Sequence, residues 1–261
     1  MELYYTICVA LFGLLFGSFL NCMAMRIVRN EDFVTGRSHC MSCYHQLEAI
    51  DLIPVFSYVI SGGKCRYCKQ KISIRYPLTE MAFMVLSVVL YIFMKRDPVL
   101  FAESWILVGL LFAMAITDIE SLEIPNLLIL SAAVSWVIFS VIKIITGRID
   151  LYTLGIRILT GLIFGALMLI MSILVDKLIG RESLGGGDIK LFALLGLYMG
   201  PVRSYELLIL SCVLGIVFAL IRKKLMPGSS KEFPLGPAIA VAAYIVLLFG
   251  DLVAAWYFKL I

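Results

Sequence analysis

Ala115-Ile116-Thr117-Asp118-Ile119-Glu120-Ser121-Leu122-Glu123-Ile124-Pro125-Asn126 joins the apolar runs 103–118 and 124–142 through a short acidic stretch. Each run approaches the roughly 20 apolar residues that carry a helix across the hydrocarbon core of a bilayer. The reading is therefore a pair of membrane helices with a carboxylate, Asp118, at their boundary. A second stretch repeats the pattern further on. Gly185-Gly186-Gly187-Asp188-Ile189-Lys190-Leu191 places Asp188 at the edge of another apolar run. A carboxylate beside a membrane span is costly, and such groups tend to be functional.

The rest of the chain fits this reading. Of 261 residues, 62% are hydrophobic and 15% charged, against roughly half and about a quarter in soluble domains. The mean hydropathy is +1.01. Candidate spans lie at 3–25, 78–94, 103–118, 124–142, 152–175, 188–201, 204–221 and 234–257. The fold class is an all-α polytopic membrane protein of about eight transmembrane helices with a small loop domain. The sixth span is short and is followed by Pro201, so it either tilts, thins the bilayer or crosses only in part. The division is a first helix at 1–25, a polar loop domain at 26–77 and a membrane domain at 78–261. Pro227-Gly228-Ser229-Ser230 reads as an ordinary loop.

No basic residue precedes the first apolar run, whereas Arg26 and Arg29 follow it. That is the charge pattern of a retained span with its N-terminus outside, not of a signal peptide. The inner loops are then 26–77, 119–123, 176–187 and 222–233. Fifteen of the 22 Lys and Arg, among them Lys177, Arg181, Lys190 and Lys231, fall in or beside these loops. The positive-inside rule is obeyed, both termini lie outside, and both aspartates lie at the cytosolic boundary. A net charge of +4 without a long basic run gives no argument for nucleic acid.

Asp118 sits where a helix should end, and the partial negative charge of a helix C-terminus opposes a carboxylate there. The plain alternative is a residue marking the exit to water. Asp188 has a structural explanation as an N-cap of the helix that follows, and the three glycines permit close backbone approach. Two carboxylates held a few ångströms apart cannot both ionise easily and share a proton. One then serves as base toward a water while its protonated partner polarises a carbonyl. Among other acids, Glu80 suits a helix start after Pro77, and Glu120 and Glu123 solvate the turn. Lys190 either tunes Asp188 or is a boundary lysine. Both histidines, His39 and His45, lie in the polar loop, so a serine or cysteine triad inside the membrane domain lacks its base.

That loop holds Cys40-Met41-Ser42-Cys43 and Cys65-Arg66-Tyr67-Cys68. Two CxxC knuckles are the spacing of a four-thiolate structural Zn²⁺ site, with Cys40, Cys43, Cys65 and Cys68 as ligands. Four free thiols are the alternative, and His39 or His45 is a possible substitute ligand. Cys8, Cys22 and Cys212 read as small apolar residues within spans.

Taken in order, the motifs resemble those of the bacterial type IV prepilin peptidases over nearly the whole chain. They run through Phe16-Gly17-Ser18-Phe19-Leu20-Asn21, Arg26, Arg37-Ser38-His39-Cys40 with Cys43, Leu52-Ile53-Pro54-Val55, Cys65-Arg66-Tyr67-Cys68, Ile72-Ser73 and Arg75-Tyr76-Pro77-Leu78-Thr79-Glu80. Asp118 with Ile124-Pro125-Asn126, then the GxGD segment ending in Asp188, and Phe233-Pro234-Leu235-Gly236-Pro237 complete the series. Leu235 stands where the family usually has Phe. The resemblance implies an inner-membrane GxGD aspartyl endopeptidase with Asp118 and Asp188 as its catalytic pair. Its implied substrates are prepilins and pseudopilins, cut after a short cytosolic leader. It also implies N-methylation of the new terminus with S-adenosylmethionine as methyl donor. An ion-coupled transporter is a competing expectation, opposed by the boundary position of both aspartates. A non-catalytic zinc-bearing assembly factor is another.

Overall fold

The computed structural model describes residues 1–33, 35–180, 184–225 and 233–260. Arg181, Lys231 and the loop Pro227-Gly228-Ser229-Ser230 lie outside the described residues. The chain forms two compact units, Met1–Phe101 and Ala102–Ile261.

Unit 1 contains α1 (Glu2–Val28), a 3₁₀ turn (Ala49–Leu52), the short α2 (Phe56–Ile60) and α3 (Arg75–Met94). Helices α1 and α3 pack through small residues. A Cβ on Gly13 would lie 2.9 Å from Met84 Cα, and one on Gly17 would lie 3.1 Å from Glu80 Cα. Backbones approach this closely in membranes because lipid offers no hydrophobic drive for larger side chains to bury.

Unit 2 contains α4 (Pro98–Ser121), α5 (Asn126–Ile145), α6 (Leu151–Ile179), α7 (Gly186–Leu225) and α8 (Gly236–Leu260). Its interior is apolar, with Leu107, Leu111, Met114, Leu128, Leu191, Leu195, Leu207 and Ile239 fully buried. Caps set the bounds of α6. Asp150 accepts from the Thr153 N–H at 3.0 Å, and Gly180 closes the other end at φ 74°. The outer faces are apolar too. Leu130, Val137, Ile138, Val141 and Ile145 of α5, and Leu162, Ile163 and Ile170 of α6, are all exposed. Rows of this kind suit lipid and would be a liability in water.

Among the described residues, seven helices are long and apolar enough to cross a membrane. The expected count of about eight follows once α7 is divided. Gly200 adopts φ 70°, ψ −176° and interrupts the helix, a backbone region essentially reserved for glycine. The halves, 186–199 and 201–225, correspond to the expected spans 188–201 and 204–221. The first half is only about 20 Å long at 1.5 Å per residue.

The break frees carbonyl groups that must find donors inside the fold. Pro201 has no N–H to give to Leu197 C=O; the Trp136 Nε1–H of α5 donates to it instead, at 2.9 Å. Arg157 Nη1 of α6 donates to Tyr198 C=O at 2.8 Å. Ser204 Oγ donates to Gly200 C=O at 2.6 Å. Helix α6 lies close enough to α7 that a Cβ on Gly196 would stand 2.8 Å from Gly161 Cα.

Candidate functional site

Asp118 lies in the last turn of α4 and is 5% exposed. It does not face water, as a residue marking a helix exit would. Its Oδ2 accepts a hydrogen bond from the backbone N–H of Gly236, at 2.7 Å. A Cβ at position 236 would lie 2.7 Å from that oxygen and 3.1 Å from Asp118 Cβ and Cγ. The contact therefore needs both an N–H and the absence of a side chain. Proline would remove the first and any other residue the second. Glu120 and Glu123, which the sequence places beside Asp118, are exposed.

Asp188 is half-buried. It is not the N-cap that its position suggests. Helix α7 begins at Gly186, and Gly185 C=O accepts from the N–H groups of Asp188 and Ile189 at 3.0 and 3.3 Å. Asp188 is the third helical residue, where a carboxylate reaches back over the helix N-terminus and gains from its dipole. A backbone hydrogen bond from Gly185 holds the carboxyl group. Its other oxygen, Oδ1, is buried and has no partner among the described residues. A buried acceptor left unsatisfied is costly in a merely structural role.

The segments around the two aspartates interlock. A Cβ on Gly187 would lie 2.9 Å from Ile124 Cβ, so the glycine lets the start of α7 close on the turn after α4. Lys190 Nζ donates to Asn126 Oδ1 at 2.8 Å, tying the first turns of α7 and α5. Gly236 adds the start of α8. Asp118 stands near enough to Asp188 for its charge to act on it. The structure thus brings together both aspartates, Asn126, Lys190 and Gly236 from four helices, with Ile124 from the turn after α4.

Two acids had no site role in the sequence reading. Glu80 is buried in α3, where it accepts from Ser18 Oγ at 2.6 Å and from the Val55 N–H at 2.7 Å. Val55 has φ 62°, a costly conformation for a β-branched residue. Glu80 therefore braces a strained loop rather than simply starting a helix. Glu103 of α4 is buried and ion-paired with Lys143 of α5. The available signal was the same for both: an acid within or beside an apolar run.

The four loop cysteines form one cluster, with every sulfur within 4.8 Å of the others. Each knuckle folds alike. The Cys40 N–H bonds to His45 C=O and the Tyr44 N–H to Cys40 C=O; the Cys65 N–H bonds to Gln70 C=O and the Lys69 N–H to Cys65 C=O. Tyr44 and Lys69, each directly after a knuckle, both take positive φ, at 57° and 63°. Cys40 Sγ and Cys68 Sγ are 3.8 Å apart, and a tetrahedron of sulfurs about 2.3 Å from a metal has edges of about that length. Backbone N–H groups of Cys43 and Ser42 directed at Cys40 favour its thiolate, the form that ligation needs, while burial and the neighbouring thiols push Cys68 the other way until an ion binds. The cluster fits a metal ion. Neither histidine belongs to it among the described residues. His45 lies against the Tyr67 ring, with centroids 3.7 Å apart, and His39 against that of Tyr44.

Comparison with known proteins agrees with this layout. A profile described as the bacterial peptidase A24 N-terminal domain matches residues 11–94, and one described as the type IV leader peptidase family matches residues 105–220. A prepilin leader peptidase/N-methyltransferase of Pseudomonas aeruginosa is 30% identical, over 98% of this chain and 94% of that protein. The chain belongs to the type IV leader peptidase family. Proteins of the same name from Aeromonas hydrophila and Bacillus subtilis are 31% and 28% identical, over 98% and 96% of this chain and 94% and 96% of their own lengths. No solved structure matches the chain. In this multi-pass membrane member of the family, Gly236 falls outside both matched regions yet holds one of the two aspartates.

Proposed function

We propose that this protein is an aspartyl endopeptidase that removes the short leader of type IV prepilins or pseudopilins, with Asp118 and Asp188 as its catalytic pair. The observation that carries the reading is the interlocking of the segments that bear the two aspartates at the membrane boundary. One carboxylate takes a proton from water, whose oxygen attacks the scissile carbonyl carbon. The other, protonated, donates to the carbonyl oxygen as it gains charge. Collapse of the tetrahedral adduct breaks the C–N bond, and a dyad proton passes to the leaving amine. The pair titrates as a unit, so neither role belongs to one residue. A prepilin is anchored by its own apolar helix, which sets its cleavage site at the depth of the dyad. The distribution of Lys and Arg supports an inner membrane orientation with this boundary and the cysteine loop on the cytosolic side.

The cysteine cluster is a structural Zn²⁺ site with Cys40, Cys43, Cys65 and Cys68 as ligands. The same protein N-methylates the new terminal residue, with S-adenosylmethionine supplying the methyl group. Unit 1 offers one unsatisfied buried acceptor toward such a molecule. Asn21 Oδ1 is buried with no partner among the described residues and suits an ammonium or ribose hydroxyl. It lies one turn of α1 from Ser18, the partner of Glu80.

Incubation of the purified protein with a full-length prepilin should release the leader, and S-adenosylmethionine should add one methyl mass to the new terminus. Intact-mass measurement checks both. An uncut prepilin refutes the peptidase reading, and a cut but unmodified product refutes the methylation. Gly236→Ala should lower kcat for leader removal by about 10²-fold with KM little changed, because displacing a reacting group by about 1 Å costs that much. Steady-state kinetics on the same substrate checks it.

A further inference from the structure

The helices that carry the two aspartates share a second meeting point at their other ends. Helix α4 bears Asp118 in its last turn and Glu103 in its second. The half-helix 186–199 starts with Asp188 near one end and finishes with Leu197 and Tyr198 at the break. At that far end Trp136 and Arg157 satisfy the Leu197 and Tyr198 carbonyls. Glu103 and Arg203 are the charges acting on the Arg157 guanidinium, and Glu103 is itself paired with Lys143. Tyr198 Oη donates to Ala132 C=O at 2.7 Å. Helices α5 and α6 thus both hold the end of one half-helix, and Glu103 of α4 acts on the α6 arginine that does so. A charge buried within membrane spans at such cost implies a task, and the dyad itself makes no use of these groups.

We infer that Arg157 and Trp136 are positioning residues: by fixing the broken end of the 186–199 half-helix, they hold Asp188, at its opposite end, in register with Asp118. The geometry makes the lever sensitive. A tilt of about 3° swings the end of a rod of about 20 Å through about 1 Å, and a displacement of that size costs a reaction up to about 10²-fold. The break isolates this half-helix from 201–225, so its angle is set by its packing contacts, the clamp among them, rather than by helix continuity.

The inference rests on the peptidase reading for its kinetic consequence, but its structural consequence can be measured alone. In purified protein in lipid nanodiscs, Arg157→Leu should lower kcat for leader removal about 10-fold and leave KM within about twofold. Arg157→Lys, which retains a donor for Tyr198 C=O, should recover most of the loss. Amide hydrogen exchange across 186–199 should quicken in Arg157→Leu and in Trp136→Phe, with α1 and α3 unchanged. If Arg157→Leu fails to accumulate, Trp136→Phe, which keeps an aromatic ring but loses the donor and part of the indole's volume, supplies both measurements. Unchanged kcat together with unchanged exchange in either variant overturns the clamp. An effect on KM alone overturns it too, since that would place the residue in substrate binding. A wild-type protein that cuts no prepilin defeats the peptidase reading instead, and the exchange comparison then still decides whether the clamp exists.

Discussion

Asp118→Asn and Asp188→Asn should each reduce leader removal by about 10³-fold or more, the contribution expected of a general acid or base. The amide is nearly the size of the carboxylate. At position 118 its oxygen can still accept the Gly236 N–H, so the brace at the start of α8 persists. What it loses is the capacity to take or deliver a proton. The two single variants should be similarly inactive, and the double variant hardly worse, because the groups act as a unit. Both proteins should accumulate in the membrane and melt at temperatures near that of the wild type. The check is a time course of prepilin processing at equal enzyme levels. Normal processing by either variant would remove that residue from the chemistry.

The second large effect concerns the cysteine cluster. The purified protein should carry about one zinc ion, and Cys65→Ser should carry none, since structural zinc sites contribute on the order of 10 kcal/mol to the folding of small domains. Cys65 is the most buried ligand, at 5% exposure, so serine there leaves both a missing bond and a poorly solvated hydroxyl. The surrounding loop has little apolar core to fall back on. No residue of the 3₁₀ turn or of α2 is buried. Loss of the metal should open the loop to trypsin at Arg66, Lys69 and Lys71. Elemental analysis and a digestion time course test this together. Full metal content in Cys65→Ser would exclude the assigned ligand set.

The spans were legible in the sequence because a helix in lipid must be long and apolar. The expected runs 3–25, 78–94 and 152–175 fall within α1, α3 and α6. Pro201 flagged the break in α7, although the glycine before it carries the non-helical backbone. The cysteine cluster was legible because each knuckle is local. Long-range pairings were not. Ser18 and Glu80 are 62 residues apart, and Lys143 and Glu103 are 40 apart; no periodicity links such partners. Asp188 was misplaced by three positions relative to its helix, because three successive glycines leave the start of a helix undetermined by propensity alone. The Gly236 contact was present in the sequence only as part of a motif. What that motif does follows from the distance between one N–H and one carboxylate oxygen.

The hydrogen bond from Gly236 to Asp118 spans 118 residues of chain. A ribosome making this protein therefore finishes α4 long before it makes the amide that will orient the carboxylate at its end. Until α8 has entered the bilayer, the nascent protein contains both acids without that alignment. A fragment ending at residue 220, where the matched region stops, would be in the same state permanently. The alignment of Asp118 is thus among the last features of the fold that synthesis can complete.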